Sequence, residues 1–315
     1  MTALRLGTRR SALAVTQSGW VADRLRELGE RVELVEILTE GDHNRAALTE
    51  IGGTGVFVAT LRTALHEGRV DLAVHSMKDL PVAPEPGLVV AAVPVRADPR
   101  DVLVARGGRT LADLEPGARI GTGSPRREAQ LAAFRPDLQI FPIRGNVDTR
   151  LRLVREGRYD AVVLAHAGLA RLGRSAEVSE VLAVGTILPA PGQGALAVEC
   201  RANRSDVLAA VAPLDDPDAR CCVTAERALL DALEAGCTAP IGALAEVDGA
   251  NRLHMRGFAG TKDGLVFVRL SRLGDRADPI GVGRDLGADI RAEGSARFGH
   301  QFVVPGIPGL PGFSG

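Results

Sequence analysis

Along the first two thirds of the chain, short runs of Val, Ile and Leu alternate with stretches whose apolar positions recur at helical spacing. LRLG at 4–7, VELVEI at 32–37 and DLAVHS at 71–76 predict strands, separated by helices over Ser11 to Leu28 and Val56 to Leu65. LVVAAVPV at 88–95 and DVLVA at 101–105 predict two further strands around a hinge, RADPRD. A second series then begins. It predicts a strand and turn in ARIGTGS (118–124), a helix from Pro125 to Phe134 and a strand in QIFPI (139–143), followed by a helix from Val147 to Glu156 and a strand in DAVVLA (160–165). Strand–helix alternation of this kind predicts parallel sheets covered on both faces.

The two series read as copies. GTRRSALAVTQ at 7–17 parallels GTGSPRREAQ at 121–130, and HEGRVDLAV at 66–74 parallels REGRYDAVV at 155–163. Two ordered matches favour duplication over chance. They predict two related α/β halves around a ligand cleft at the carboxyl ends of their strands. LPAPGQGALAVEC at 188–200 reads as a turn and a strand suited to a return crossing into the first half. After it the pattern changes. A helix from Ala219 to Ala235 follows DDPD, then come the strand-like runs IGALAEV, LHMRGFAG and LVFVRLSRL and a helix near Asp285 to Glu293. The predicted division is therefore 1–96 with 195–213, 100–190, and a small α+β domain over 216–304. Residues 305–315, within the Pro/Gly-rich PGIPGLPGFSG, read as a flexible tail.

Composition narrows the function classes. With 38 basic against 39 acidic residues, a net charge of -1 and 3% aromatics, the 315-residue chain does not read as a nucleic-acid binder. No apolar run approaches the roughly 18 residues of a membrane span, and MTALRLGTRRSALAV lacks the shape of a secretory signal, so the expected location is cytoplasmic. Lys78 and Lys262 are the only lysines; every other cation apart from histidine is arginine. A GC-rich genome accounts for that bias, but its consequence is chemical, because the guanidinium fork matches carboxylates and phosphates. Cys200, Cys221, Cys222 and Cys237 form no C-x-x-C pair and the six histidines are scattered, so neither a disulfide framework nor a metal site is expected.

Candidate chemistry gathers at three places. Thr8, Arg9 and Ser11 stand where a strand yields to a helix, and Thr122, Ser124, Arg126 and Arg127 stand at the equivalent corner of the second half. Helix N-termini offer unpaired N–H groups, and with hydroxyls and arginines they suit an anion, although either serine alone reads as an ordinary cap. Arg144, Asn146 and Arg150 occupy the next strand–helix junction, with Asn146 a candidate cap. The second place is HSMKDLP, where His75, Ser76, Lys78 and Asp79 follow a buried strand. Asp79 there is either one half of a surface ion pair or a carboxylate that stabilises a cation and shuttles protons. The third is Cys237 in EAGCTAPIG, on a loop after a helix, with more claim than the other cysteines to be a reactive thiolate or an attachment point.

GTRRS, GGTGVF, HSMKDLP, GTGSPRR, RGNVDTR, LPAPGQGA and EAGCTAPIG occur in this order. Together they resemble the motifs of the porphobilinogen deaminases, or hydroxymethylbilane synthases, across nearly the whole chain from Leu4, fading after about Asn251. The resemblance implies a transferase of tetrapyrrole biosynthesis that joins four porphobilinogens head to tail into hydroxymethylbilane with loss of ammonia. It also implies growth on a dipyrromethane cofactor attached by a thioether, which by motif position falls on Cys237. Asp79 matches the family's catalytic aspartate, which stabilises the azafulvenium-like cation left when ammonia departs. Ser76, Lys78, Thr122, Ser124, Arg126, Arg127, Arg144 and Asn146 match cofactor-lining positions, and Arg9, Ser11, Arg144, Arg150, Arg171 and Gln193 match substrate-lining positions. The implied partners are porphobilinogen and the growing polypyrrole, with no nucleic acid and no membrane, on a monomer.

The chain departs from the pattern at Glu50 and Thr54, where many members carry lysines, within a polar, Gly-rich candidate lid from Leu38 to Gly55. Two other functions fit parts of the sequence. The duplicated halves also resemble periplasmic-type binding proteins, which allows a non-catalytic anion sensor, but such a sensor has no use for a third domain bearing Cys237. A cysteine hydrolase requires a partnered histidine, and none stands out.

Overall fold

The computed structural model describes residues 3–37, 53–234, 239–299 and 302. Two compact units emerge, Met1–Ala97 with Gly194–Arg220 and Asp98–Gln193 with Cys221–Gly315.

The first unit is built on β1 (Leu4–Thr8), α1 (Ala12–Glu27), β2 (Val32–Glu36), α2 (Gly53–His66), β3 (Leu72–Ser76), β4 (Leu88–Ala92), β10 (Leu196–Arg201) and α6 (Ser205–Val211). Its sheet runs β2-β1-β3-β10-β4. β1 is parallel to β2 and β3, while β10 is antiparallel to β3 and β4. β3 is buried on both faces, as a strand covered by helices on each side must be. One face packs Leu6, Val21, Leu25 and Leu72; the other packs Leu61, Leu65, Val70 and Ala73 beneath α2. β4 is shorter than its apolar run because Pro94 cannot donate to the ladder, and Val95 is 72% exposed.

The second unit carries β5 (Asp101–Ala105), β6 (Arg119–Gly121), α3 (Pro125–Phe134), β7 (Gln139–Phe141), α4 (Val147–Arg155), β8 (Ala161–Ala165), α5 (His166–Arg171) and the two-residue β9 (Glu180–Val181). Its sheet runs β7-β6-β8-β5-β9, with β6 parallel to β7 and β8 and β5 antiparallel to β8 and β9. β6, β7, β8, β5 and β9 thus repeat the places and directions of β1, β2, β3, β10 and β4, so the repeat seen in the sequence is a repeat of topology. The expectation of wholly parallel sheets needs one correction per sheet. β5 and β10 each enter their sheet from the other half of the chain, not by a βαβ crossover, so nothing forces them parallel.

The C-terminal part is α+β. α7 (Pro217–Ala232) leads to the meander β11 (Ile241–Val247), β12 (Arg252–Gly260) and β13 (Phe267–Asp275), and α8 (Pro279–Phe298) closes it. Val282, Leu286 and Ile290 of α8 lie at helical spacing and are buried. A Cβ at Gly283 would lie 2.2 Å from the Ala225 carbonyl oxygen, so glycine is what lets α8 approach α7. Leu244 and Phe258 pack with Ala129 and Leu188, which seats this sheet on the second α/β half. Cys237 and the segment 305–315 lie outside the described residues, as does the candidate lid, Glu50 included, up to Gly53, where α2 begins. No described helix is long and apolar enough to cross a membrane.

Candidate active site

In the first unit the chain leaves β1 at Thr8 and enters α1 with Ser11 as its N-cap, whose side chain accepts from the Ala14 N–H at 3.3 Å. Arg9 stands in that turn. Two strands along, β3 ends at Ser76 and Met77–Asp79 forms a single 3-10 turn. Arg9, Gln17, His75, Ser76 and Asp79 line one depression of about 490 Å³, part of it open to solvent. Gln17 Nε2 donates to Ser76 Oγ at 3.0 Å, which fixes one wall.

Asp79 is the acid of this pocket. Burial pushes its carboxyl above the ordinary carboxylate range, while the positive fields of Lys78, His75 and Arg9 pull it partway back. A partly buried carboxylate so placed favours any cation that forms beside it, because opposite charges attract more strongly where the protein displaces part of the water.

Behind this wall His75 faces Glu199 across the sheet, Nε2 to Oε2 at 3.2 Å. Glu199 is also clamped by Arg62 of α2, whose Nη2 and Nε donate to Oε1 at 2.9 and 3.2 Å.

The corresponding corner of the second unit is different. Thr122, Gly123 and Ser124 turn the chain from β6 into α3, with Pro125 at the first helical position. A Cβ at Gly123 would sit 2.7 Å from the Ile143 carbonyl oxygen, so only glycine fits. The Ser124 side chain does not cap α3; instead its N–H donates to Thr122 Oγ1 at 3.2 Å. Arg126 and Arg127 are buried and converge on Asp101 at the head of β5. Arg126 Nη1 donates to Oδ2 at 2.7 Å, and Arg127 Nη2 and Nε donate to Oδ1 at 2.7 and 3.0 Å. Gln193 Nε2 donates to Asp101 Oδ1 at 2.9 Å and to the Pro99 carbonyl at 2.7 Å. Burial opposes ionisation of Asp101, but the two guanidinium groups outweigh it and hold the carboxyl well below its ordinary range.

One carboxylate against two guanidinium groups leaves excess positive charge. Arg150 adds to it: burial and the field of Arg127 both lower its pKa. Arg126 Nε is buried and has no hydrogen-bond partner among the described residues. Asn146 caps α4, accepting from the Thr149 N–H at 2.9 Å, and Arg150 Nε donates to the Gly145 carbonyl at 2.9 Å. Arg144 beside them is exposed and forms no ion pair among the described residues. Arg171 closes α5, its pKa lowered by burial.

The structure therefore gathers Arg9, Ser76 and Asp79 around one pocket, with Lys78 acting on Asp79, and gathers Arg126, Arg127 and Gln193 around Asp101. Ser11 serves as a cap. Cys200, Cys221 and Cys222 are buried, as small apolar side chains are. Sequence reasoning missed Gln17, Glu199 and Asp101. The clue to Asp101 was one acidic residue heading the otherwise apolar DVLVA.

The family model described as porphobilinogen deaminase, dipyromethane cofactor binding domain, matches residues 4–209, and the porphobilinogen deaminase C-terminal domain matches residues 220–292. Porphobilinogen deaminase 1 of Streptomyces coelicolor is 57% identical over 307 residues, which cover 93% of this chain and 96% of that protein. Its counterpart in Mycolicibacterium paratuberculosis is 52% identical over 298 residues, covering 92% and 93%. Porphobilinogen deaminase of Thermobifida fusca is 56% identical over 270 residues, covering 85% and 84%.

Proposed function

The chain belongs to the porphobilinogen deaminase family, and on that premise we propose which of its residues do the family's work. The activity is that of a transferase in tetrapyrrole biosynthesis, the head-to-tail polymerisation of porphobilinogen into hydroxymethylbilane with release of ammonia, and residues 4–209 form a dipyrromethane cofactor-binding region. Asp79 is the catalytic carboxylate. As the aminomethyl nitrogen leaves, positive charge spreads into the pyrrole ring. A carboxylate in the Asp79 pocket attracts that charge and accepts a hydrogen bond from the ring N–H. The single observation that carries this reading is a carboxyl driven above its ordinary range by burial, in a pocket that it shares with Arg9 and Ser76.

The donor set of the second unit fits a carboxylate-bearing cofactor. Two guanidinium groups share one carboxylate, and the buried Arg126 Nε has no partner among the described residues. Arg126, Arg127, Arg144, Thr122, Ser124 and Asn146, with Lys78 and Ser76, are the proposed cofactor residues; Cys237, outside the described residues, is the proposed thioether anchor. When bound, the dipyrromethane supplies the pyrrole carbon from which the chain is extended. Arg9, Ser11, Arg144, Arg150 and Arg171 are proposed to meet substrate carboxylates, with about 1.5–3 kcal/mol per charge-assisted contact, and Gln193 to line the same site. Gln193 acts there through Asp101, since its amide already donates to Asp101 and Pro99. We take the enzyme to work as a cytoplasmic monomer with neither nucleic acid nor membrane as partner.

Intact mass tests the anchor. The purified chain should exceed its sequence mass by one dipyrromethane, and Cys237→Ala should have the sequence mass alone. A Cys237→Ala protein that still carried the pyrroles would refute the assignment.

A further inference from the structure

The buried charges on the α2 face of the first sheet have no part in the chemistry so far. β10 runs antiparallel to β3 with Ala197 opposite His75 and Glu199 opposite Ala73, so all four side chains share one face. That face packs on Leu61, Ala64 and Leu65 of α2. Within it His75 is 5% exposed, Glu199 2% and Arg62 8%. Arg62 continues outward to Glu85 at 3.0 Å, and Glu85 to His66 at 3.5 Å. Burying an ion pair in such a setting gives no stability advantage over apolar side chains of the same size. What the pair does provide is position: a carboxylate held by a forked guanidinium is a rigid acceptor.

Resting on the reading of Asp79 as the catalytic carboxylate, we infer that Glu199 is a positioning residue for it: clamped by Arg62, it holds the His75 imidazole in the wall of the Asp79 pocket. His75 lies at the end of β3, four residues before Asp79, and lines the same depression. The charged groups around it are Glu199 from β10, Arg62 and His66 from α2, Glu85 before β4, Arg9 after β1, and Lys78 and Asp79 in the following turn. Of these, Glu199 brings an oxygen closest to the ring nitrogen, at 3.2 Å, an ion-pair approach short of hydrogen-bond geometry. The imidazole in turn favours the ionised form of Asp79. If the ring swings away, Asp79 loses one of the three neighbours that favour its ionised form.

The test is a set of conservative variants of the holoenzyme. Turnover of porphobilinogen should fall on the acid side as Asp79 takes up its proton. In His75→Gln that fall should move to higher pH by about one unit, the lower end of what one nearby opposite charge supplies. Glu199→Gln should shift it in the same direction, and the double variant no further than His75→Gln alone, because both act through one imidazole. Glu85→Gln, at the outer end of the network, should leave it in place. A second readout needs no turnover: in urea unfolding at neutral pH, the change produced by Asp79→Asn should be more stabilising in the Glu199→Gln background than in the parent chain. If Glu199→Gln does not fold, Arg62→Lys loosens the clamp while keeping its charge and should give a smaller shift in the same direction. An acid fall that stays put in Glu199→Gln, or in Arg62→Lys where that stands in, overturns the inference provided that Asp79→Asn still abolishes turnover. Near-normal turnover in Asp79→Asn overturns the Asp79 reading instead.

Discussion

Asp79 in the first unit is a partly exposed carboxylate and Asp101 in the second a fully buried one, each beside arginine, and desolvation drives both toward the neutral form. They end on opposite sides of the ordinary carboxylate range. Asp101 receives the forks of two guanidinium groups and an amide, all within 3.0 Å. Asp79 is influenced by Lys78, His75 and Arg9 through their fields, and burial prevails. Geometry therefore separates a structural carboxylate from a reactive one: direct hydrogen bonds consume the acceptor capacity that a substrate would need. The duplicated topology makes the contrast sharper, because the same sheet order supports both outcomes.

Substitution breaks the comparison most visibly at Asp79. Asp79→Asn should lower turnover by about 10²- to 10⁴-fold, the usual range for a positioned acid–base group, measured by single-turnover kinetics on the cofactor-bearing protein.

The same change at Asp101 should act on the fold. Asp101→Asn leaves two buried guanidinium groups without their counter-charge and should cost about 3–5 kcal/mol in urea unfolding. The sign with pH follows from the depressed carboxyl. Its stabilisation is complete above the ordinary carboxylate value of 3.8 and is lost as pH falls through the lower folded value, so Asp101→Asn should lose its disadvantage only in strong acid.

The exposed Arg144 and the buried Arg126 should differ likewise. Arg144→Leu should weaken use of porphobilinogen by about 10- to 100-fold, one charge-assisted contact, with little change in unfolding. Arg126→Leu should lose both activity and stability.

The smallest effect distinguishes the two helix starts. Ser11→Ala should cost about 1 kcal/mol as a lost cap, and Ser124→Ala, whose side chain caps nothing, should be close to neutral in thermal unfolding.

Most strands and the helices α1, α3 and α4 were legible because local pattern determines them, whereas α8 (Pro279–Phe298) runs well past the expected Asp285 to Glu293 and the Glu180–Val181 strand was not expected. Pro125–Phe134 and Asp101–Ala105 fall where proline at the first helical position and an unbroken apolar run put them. The short helices Ser205–Val211 and His166–Arg171 span too few turns to show a period. The antiparallel entry of β5 and β10 depends on connections between distant segments, which periodicity does not encode. In the site, the arginines and Asp79 were legible as polar residues at strand ends. Their partners were not: Asp101 lies 25 residues from Arg126, and Glu199 lies 137 residues from Arg62. Whether an arginine is spent on the scaffold or faces a ligand is settled by such distant pairings.

The most direct test of the central claim, that Asp79 is kept in a costly place for chemistry, is urea unfolding of the chain and of Asp79→Asn as a function of pH. A raised carboxyl makes the parent lose stability as pH rises from 3.8 through the folded value, and level off above it. Asp79→Asn should therefore be the more stable protein near neutrality, with the gain vanishing below the ordinary carboxylate range. A variant less stable at neutral pH, or a difference indifferent to pH, would contradict the account.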